Sequence, residues 1–153
     1  MLKQGTILKP DVRVRGDDPR EVDRLVGPLL RGMAYERLLL LLLDPVYCVK
    51  QVHVLGVGNE FWVTCSIRKL FRTVLLNRLH RFVVVHNHPG QTIPSPSVPD
   101  VAYARRLEQG ADILGLELVD SVIIGEAGFF SIFQGGPGVS APHLPEGGTE
   151  HGA

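Results

Sequence analysis

The chain has 153 residues and a mass of 16.8 kDa, the size of one domain with room to bury a substantial core. Sixteen basic and sixteen acidic residues cancel, so no global field draws the chain to nucleic acid or to an anionic membrane. The longest pure apolar run, Leu38 to Leu43, is far short of the roughly twenty residues that a membrane-spanning helix needs. The two cysteines, Cys48 and Cys65, form no Cys-x-x-Cys pair and read as small buried apolar residues. Because the first residues lack the apolar core of a signal peptide, a cytoplasmic protein is expected.

Residues 1–17 mix charge, Gly and Pro without a clear period, which predicts an extended or poorly ordered arm with a short edge strand at Val12 and Val14. Asp18, Pro19 and Glu21 then read as a capping box with Pro at the first helical position. Val22, Leu25, Val26, Leu29, Leu30 and Met33 recur at helical steps as a core stripe, with a kink expected at Pro28 and a stop at Gly32. Leucine favours helix, yet the six-leucine run Leu38–Leu43 is short and bounded by Gly32 and Asp44-Pro45. With a second apolar segment, Val46 to Leu55, directly after it, a hairpin containing a buried central strand is more economical. The second segment partly alternates, which puts His53 on an exposed strand face rather than on a metal. Phe61-Trp62-Val63 predicts a short strand, and Thr64 or Ser66 can cap the next helix. That helix carries Ile67, Leu70, Phe71, Val74 and Leu75 on its apolar stripe. Arg68, Lys69, Arg72 and Arg78 fall largely outside it as a solvated face, so nucleic acid is not the expected partner.

The chemistry gathers in residues 81–100. Arg81-Phe82-Val83-Val84-Val85 reads as a strand buried on both faces, and side chains two apart on a strand share a face, so His86 and His88 can enter one cleft. Pro89 lacks the N–H to continue a ladder, and a Gly- and Pro-rich loop follows. Ser97 can cap a helix with Pro99 in its first turn and Asp100 at the third position. Two histidines and a carboxylate form the smallest protein set for a catalytic zinc, which leaves a fourth position for water. Paired histidines beside prolines also occur in surface loops, and Asp100 has a sufficient role as a helix-start acid. The helix runs to about Leu114, with Val101, Ala104, Leu107, Ala111 and Leu114 spaced along it and Gly115 as its stop. Leu116 to Ile124 and Phe129 to Phe133 read as two strands joined by a turn. From residue 135 the composition predicts a disordered tail containing His143 and His151.

His-x-His-Pro, seven further residues, and then Ser-x-x-Asp, here His86 to Asp100, resembles the metal-binding signature of the JAMM (MPN-plus) metallopeptidases at every specified position. Over roughly residues 20 to 133 the chain is similar to the RadC branch of that superfamily, which carries Asn between the histidines and a later hairpin like Leu118 to Gly125. The resemblance implies a zinc hydrolase of α/β (α+β) JAB/MPN fold, a mixed sheet packed by about three helices. Its zinc ligands would be His86, His88 and Asp100, and Ser97 would donate a hydrogen bond near the reacting oxygen. RadC relatives place a Glu eight residues before the Asp that closes the leucine strand. Glu36 stands eight before Asp44 and is thereby the candidate general base. The stretch from His53 to Gly58 departs from the Leu-Phe-x-Gly-Thr-like pattern of those relatives, which puts the cleft wall in question.

The expected organisation is an arm over 1–17, a RadC-like JAB/MPN domain over 18–134 and a tail over 135–153. A helix-hairpin-helix region, usual in RadC proteins, does not fit ahead of residue 20. The expected activity is Zn2+-dependent cleavage of a peptide or isopeptide bond in a peptide or protein substrate. Two readings stand against it: a metal-binding module that hydrolyses nothing, and a DNA-repair-associated protein, against which the charge balance argues. The absence of Pro-Cys-x-x-Cys excludes the zinc deaminase pattern.

Overall fold

The computed structural model describes residues 3–57 and 66–141. In chain order these form β1 (Ile7–Leu8), α1 (Pro19–Leu30), β2 (Arg37–Leu43), β3 (Val49–Val57), α2 (Ile67–Leu76), β4 (Arg81–Asn87), α3 (Val98–Leu114), β5 (Glu117–Ile124), β6 (Gly128–Ser131) and β7 (Gly136–Val139). All seven strands join one mixed sheet in the order β1-β3-β2-β4-β5-β6-β7. Only β4 and β5 run parallel, and α3 makes the crossover that such a pair needs. The predicted mixed sheet with three helices is therefore what forms among the described residues.

The leucine run explains the layering. Leu39, Leu41 and Leu43 pack with Val83, Val85 and the α1 residues Val22, Val26 and Leu30. Leu38, Leu40 and Leu42 turn the other way, onto Val84 and onto Leu70, Phe71, Val74 and Leu107 of α2 and α3. None of the six is more than 2% exposed. At about 1.5–3 kcal/mol for each fully buried side chain, a strand flanked by two apolar layers outweighs leucine's helical propensity. The hairpin turn is closed by Asp44, whose carboxylate accepts from the Val46 and Cys48 N–H groups at 3.0 and 2.9 Å. Cys48 is buried, as predicted, with a free thiol.

Several expectations are corrected. The arm is ordered from residue 3: its edge strand is Ile7–Leu8, which pairs with His53 and Val52, while Val14 is buried and accepts from the Val49 N–H. At α1 only half of the capping box forms. Asp18 caps the Arg20 N–H, but the Glu21 carboxylate reaches back to the Arg15 N–H instead of the Asp18 N–H. The helix continues through Pro28 to Leu30, and Met33 falls beyond it. The sheet does not end after β6. Residues 136–139, expected in a disordered tail, form β7 against β6, and Arg31 fastens Ser140 just beyond it. Phe61 to Cys65, His143 and His151 lie outside the described residues. Among the described residues no helix is long and apolar enough to cross a membrane.

Candidate metal centre

The site forms where β4 ends. His86 lies opposite Leu38 of β2, so His86, and His88 two residues on, point to the face covered by α2 and α3. Asn87, between them, is buried and faces the other way. Its amide oxygen accepts from the Arg37 N–H at 2.7 Å, and its amide nitrogen donates to the Tyr35 carbonyl at 3.2 Å. These two bonds clamp the peptides on either side of Glu36. Glu36 is itself buried, and its charge bears on His88. Glu36, the residue before β2, thus stands at the end of β4 that carries the two histidines.

The loop after the histidines is fixed by backbone bonds. The Gln91 N–H donates to the His88 carbonyl at 3.2 Å across a turn in which Gly90 takes φ 81°. The Gln91 and Thr92 carbonyls then accept from Glu126 and Ala127, at 2.7 and 2.8 Å, on the β5–β6 turn. Gly125 permits this approach, because a Cβ there would meet the Gln91 and Thr92 carbonyls and the Pro94 ring at 2.7 Å.

The loop ends in the capping box predicted at α3. The Ser97 Oγ accepts from the Asp100 N–H at 3.2 Å, and the Asp100 Oδ2 accepts from the Ser97 N–H at 2.8 Å. The box turns the Asp100 carboxylate back over β4. Its Oδ1 lies 3.1 Å from the His86 Nε2, and its Oδ2 lies 3.0 Å from the His88 Nε2. The two Nε2 atoms are 3.3 Å apart. A tetrahedral ion with ligand arms of about 2.0–2.1 Å sets its donor atoms about 3.3 Å apart, the separation of the two Nε2 atoms, and the three side chains offer ligand atoms that all lie within 4.8 Å of one another. Two imidazole nitrogens and one carboxylate oxygen are also the donor chemistry zinc accepts. Among the described residues this is the one group of three or more such side chains close enough to hold a metal.

The electrostatics match the geometry. Burial acts to raise the pKa of Asp100, but hydrogen bonds from His86 and His88 hold it well below the usual carboxylate range. Burial acts to lower the pKa of His88, yet the hydrogen bond and charge of Asp100, aided by Gln91 and Glu36, raise it. The three side chains are therefore held together by mutual attraction, and a metal bound among them would displace a proton.

His53 is placed differently from its prediction. It is buried rather than exposed, its Nε2 lies 2.7 Å from the Gln51 Oε1, and burial lowers its pKa. It stays apart from the metal cluster, as expected. The oxygen of Ser97 is engaged in capping, while its hydroxyl hydrogen is not used by that bond. Sequence reasoning missed Asn87 as a clamp and Gln91 as a partner of His88. It also missed Arg37, which is buried with its Nη1 on the Glu36 carbonyl at 3.2 Å and its Nε without a hydrogen-bond partner among the described residues. Asn87 could have been found as the amide that separates the two ligands. For Gln91 the signal was absent, because loop contacts do not follow a period.

Comparison with known proteins gives the same direction. A family model described as the RadC-like JAB domain matches residues 17–137. A UPF0758 protein of Acaryochloris marina is 35% identical over 119 residues, covering 77% of this chain and 48% of the relative. A UPF0758 protein of Shouchella clausii is 31% identical over 118 residues, covering 77% of this chain and 51% of the relative. One from Methanosarcina acetivorans is 30% identical over 114 residues, with 74% and 49% covered. The chain thus spans about half the length of the curated relatives it matches.

Proposed function

This chain belongs to the RadC-like JAB family, and from that premise we propose that it is a zinc-dependent hydrolase that cleaves a peptide or isopeptide bond in a peptide or protein substrate. The observation that carries the reading is the meeting of the His86 Nε2 and the His88 Nε2, 3.3 Å apart, with the Asp100 carboxylate, whose Oδ1 lies 3.1 Å from the first and whose Oδ2 lies 3.0 Å from the second. His86, His88 and Asp100 would hold the zinc, which would supply a water of pKa about 7 and a Lewis acid for the scissile carbonyl.

The remaining steps belong to the protein's own side chains. Glu36, anchored through the Asn87 bonds to its flanking peptides, takes a proton from the attacking water and returns it to the leaving amine. Ser97 donates its free hydroxyl hydrogen to the carbonyl oxygen as negative charge builds there, a contact whose loss costs roughly a hundredfold or more in rate. Asp100 keeps both imidazoles turned toward one point. The same reading assigns the activity to residues 18–134 together with β7 and places it in the cytoplasm, where a free buried thiol such as Cys48 persists.

A silent metal-binding module is the second reading. The engagement of the Ser97 oxygen in the helix cap and the altered stretch at His53 favour it. The readings separate on a panel of peptide and isopeptide substrates incubated with zinc-loaded protein, chelated protein and the Glu36→Gln variant. Cleavage by the loaded protein alone supports the hydrolase. Zinc binding without cleavage of any substrate supports the module.

A further inference from the structure

We propose that Gln91 is the positioning residue that fixes His88 in its metal-binding tautomer, an inference that rests on the metal reading above. The Gln91 Oε1 lies 3.2 Å from the His88 Nδ1 and also accepts from the Ser95 N–H at 3.4 Å. A backbone N–H can only donate, so the contact with Ser95 identifies the amide atom facing both partners as the oxygen. An amide oxygen can only accept. The His88 Nδ1 therefore keeps a proton, so Nε2 is the nitrogen that would give up its proton and offer its lone pair to a metal. That nitrogen is the one 3.3 Å from the His86 Nε2 and 3.0 Å from the Asp100 Oδ2.

The backbone of Gln91 is held independently of its side chain. Its N–H bonds the His88 carbonyl and its carbonyl accepts from Glu126, with Gly125 leaving the space below. The side chain is thereby delivered to Nδ1 by a loop that does not need it. Partners of this kind, one bond removed from a metal, raise the basicity of the ligand and typically contribute 10–100-fold in metal affinity. A neutral amide also leaves the charge of the site to Asp100 and Glu36.

The test compares wild type, Q91L and Q91E by zinc affinity, measured by competition with a chromogenic chelator, and by thermal melting of the zinc-free proteins. Q91L is expected to weaken zinc roughly 10–100-fold while melting within a few degrees of wild type, and Q91E, which keeps the acceptor, to bind at least as tightly as wild type. If Q91L melts early, the near-isosteric Q91M takes its place. Wild-type affinity in the variant lacking the acceptor overturns the proposal, as does a Q91E protein no better than Q91L. Either failure leaves the metal reading standing, because wild type still binds. A wild-type protein that binds no zinc removes both.

Discussion

Asp100 and Asp120 are both withdrawn from solvent, yet their environments act on them in opposite senses. Asp120, on β5, is 1% exposed and accepts from the Ser131 hydroxyl at 2.6 Å and from the Ser121 and Phe133 N–H groups at 2.8 and 3.1 Å. These donors are neutral, and burial pushes the carboxyl up. At Asp100 burial acts in the same direction but loses to two imidazoles. Neutral, non-titrating donors make Asp120 a fastener for the turn that follows β6. Titrating donors whose Nε2 atoms converge make Asp100 part of a cluster in which a cation can replace protons.

This contrast predicts a graded set of outcomes. Glu36→Gln should lower turnover about 10²–10⁴-fold on any substrate that wild type cleaves, with zinc content unchanged, because it removes a general base without touching a ligand. Asp120→Asn in the same assay should leave both turnover and zinc alone. His88→Ala should weaken zinc by more than about a hundredfold, beyond the range of residues that only support a ligand, as read by chelator competition.

The pH response follows from the signs of the shifts. In the metal-free protein the raised His88 group stabilises the fold below its ordinary pKa of about 6.5, and that contribution disappears as pH rises through its higher folded value. The lowered Asp100 group stabilises above about pH 3.9, and its contribution is lost as pH falls through its depressed value. Zinc competes with the His88 proton, so affinity should climb by up to about tenfold per pH unit until pH passes the raised value, then level. Calorimetric titrations at several pH values, with proton release measured, check this. Asp120 runs the other way: its raised group favours the protonated fold, so stability from this residue falls as pH rises above about 3.9.

The smallest effects are expected at Asp120. Asn there can still accept from Ser121 and Phe133 and donate to the Ser131 Oγ, so Asp120→Asn should shift stability at pH 7 by less than about 1 kcal/mol. Asp120→Ala strands buried donors and should cost about 1–3 kcal/mol in denaturant melts.

The same contrast shows what could be read in the chain. Local rules carry His86, His88 and Asp100: alternation along β4 put the imidazoles on one face, and the Ser97–Asp100 capping box turned the carboxylate back. Boundaries likewise revealed the leucine strand. Long-range packing was not legible. Gly136-Pro137-Gly138 has poor strand propensity and resembles a low-complexity tail. Glycine is present at 128 and 138 because the β6 and β7 backbones and the Phe129 ring press together there. His53 looked like the polar side of an alternating strand, but β1 and β2 flank β3 on both edges, so it sits on an interior strand and is buried. The Glu21 bond to Arg15 depended on where the arm lay, which no helical signature encodes.

Metal analysis of the purified wild-type chain beside Asp100→Ala, each saturated with zinc and desalted, tests the convergence of the three ligands most directly. About one zinc per wild-type chain, with the variant stripped, is the expected result for a site with three protein ligands. A wild-type chain that emerges without zinc, or a variant that retains as much as wild type, contradicts the assignment.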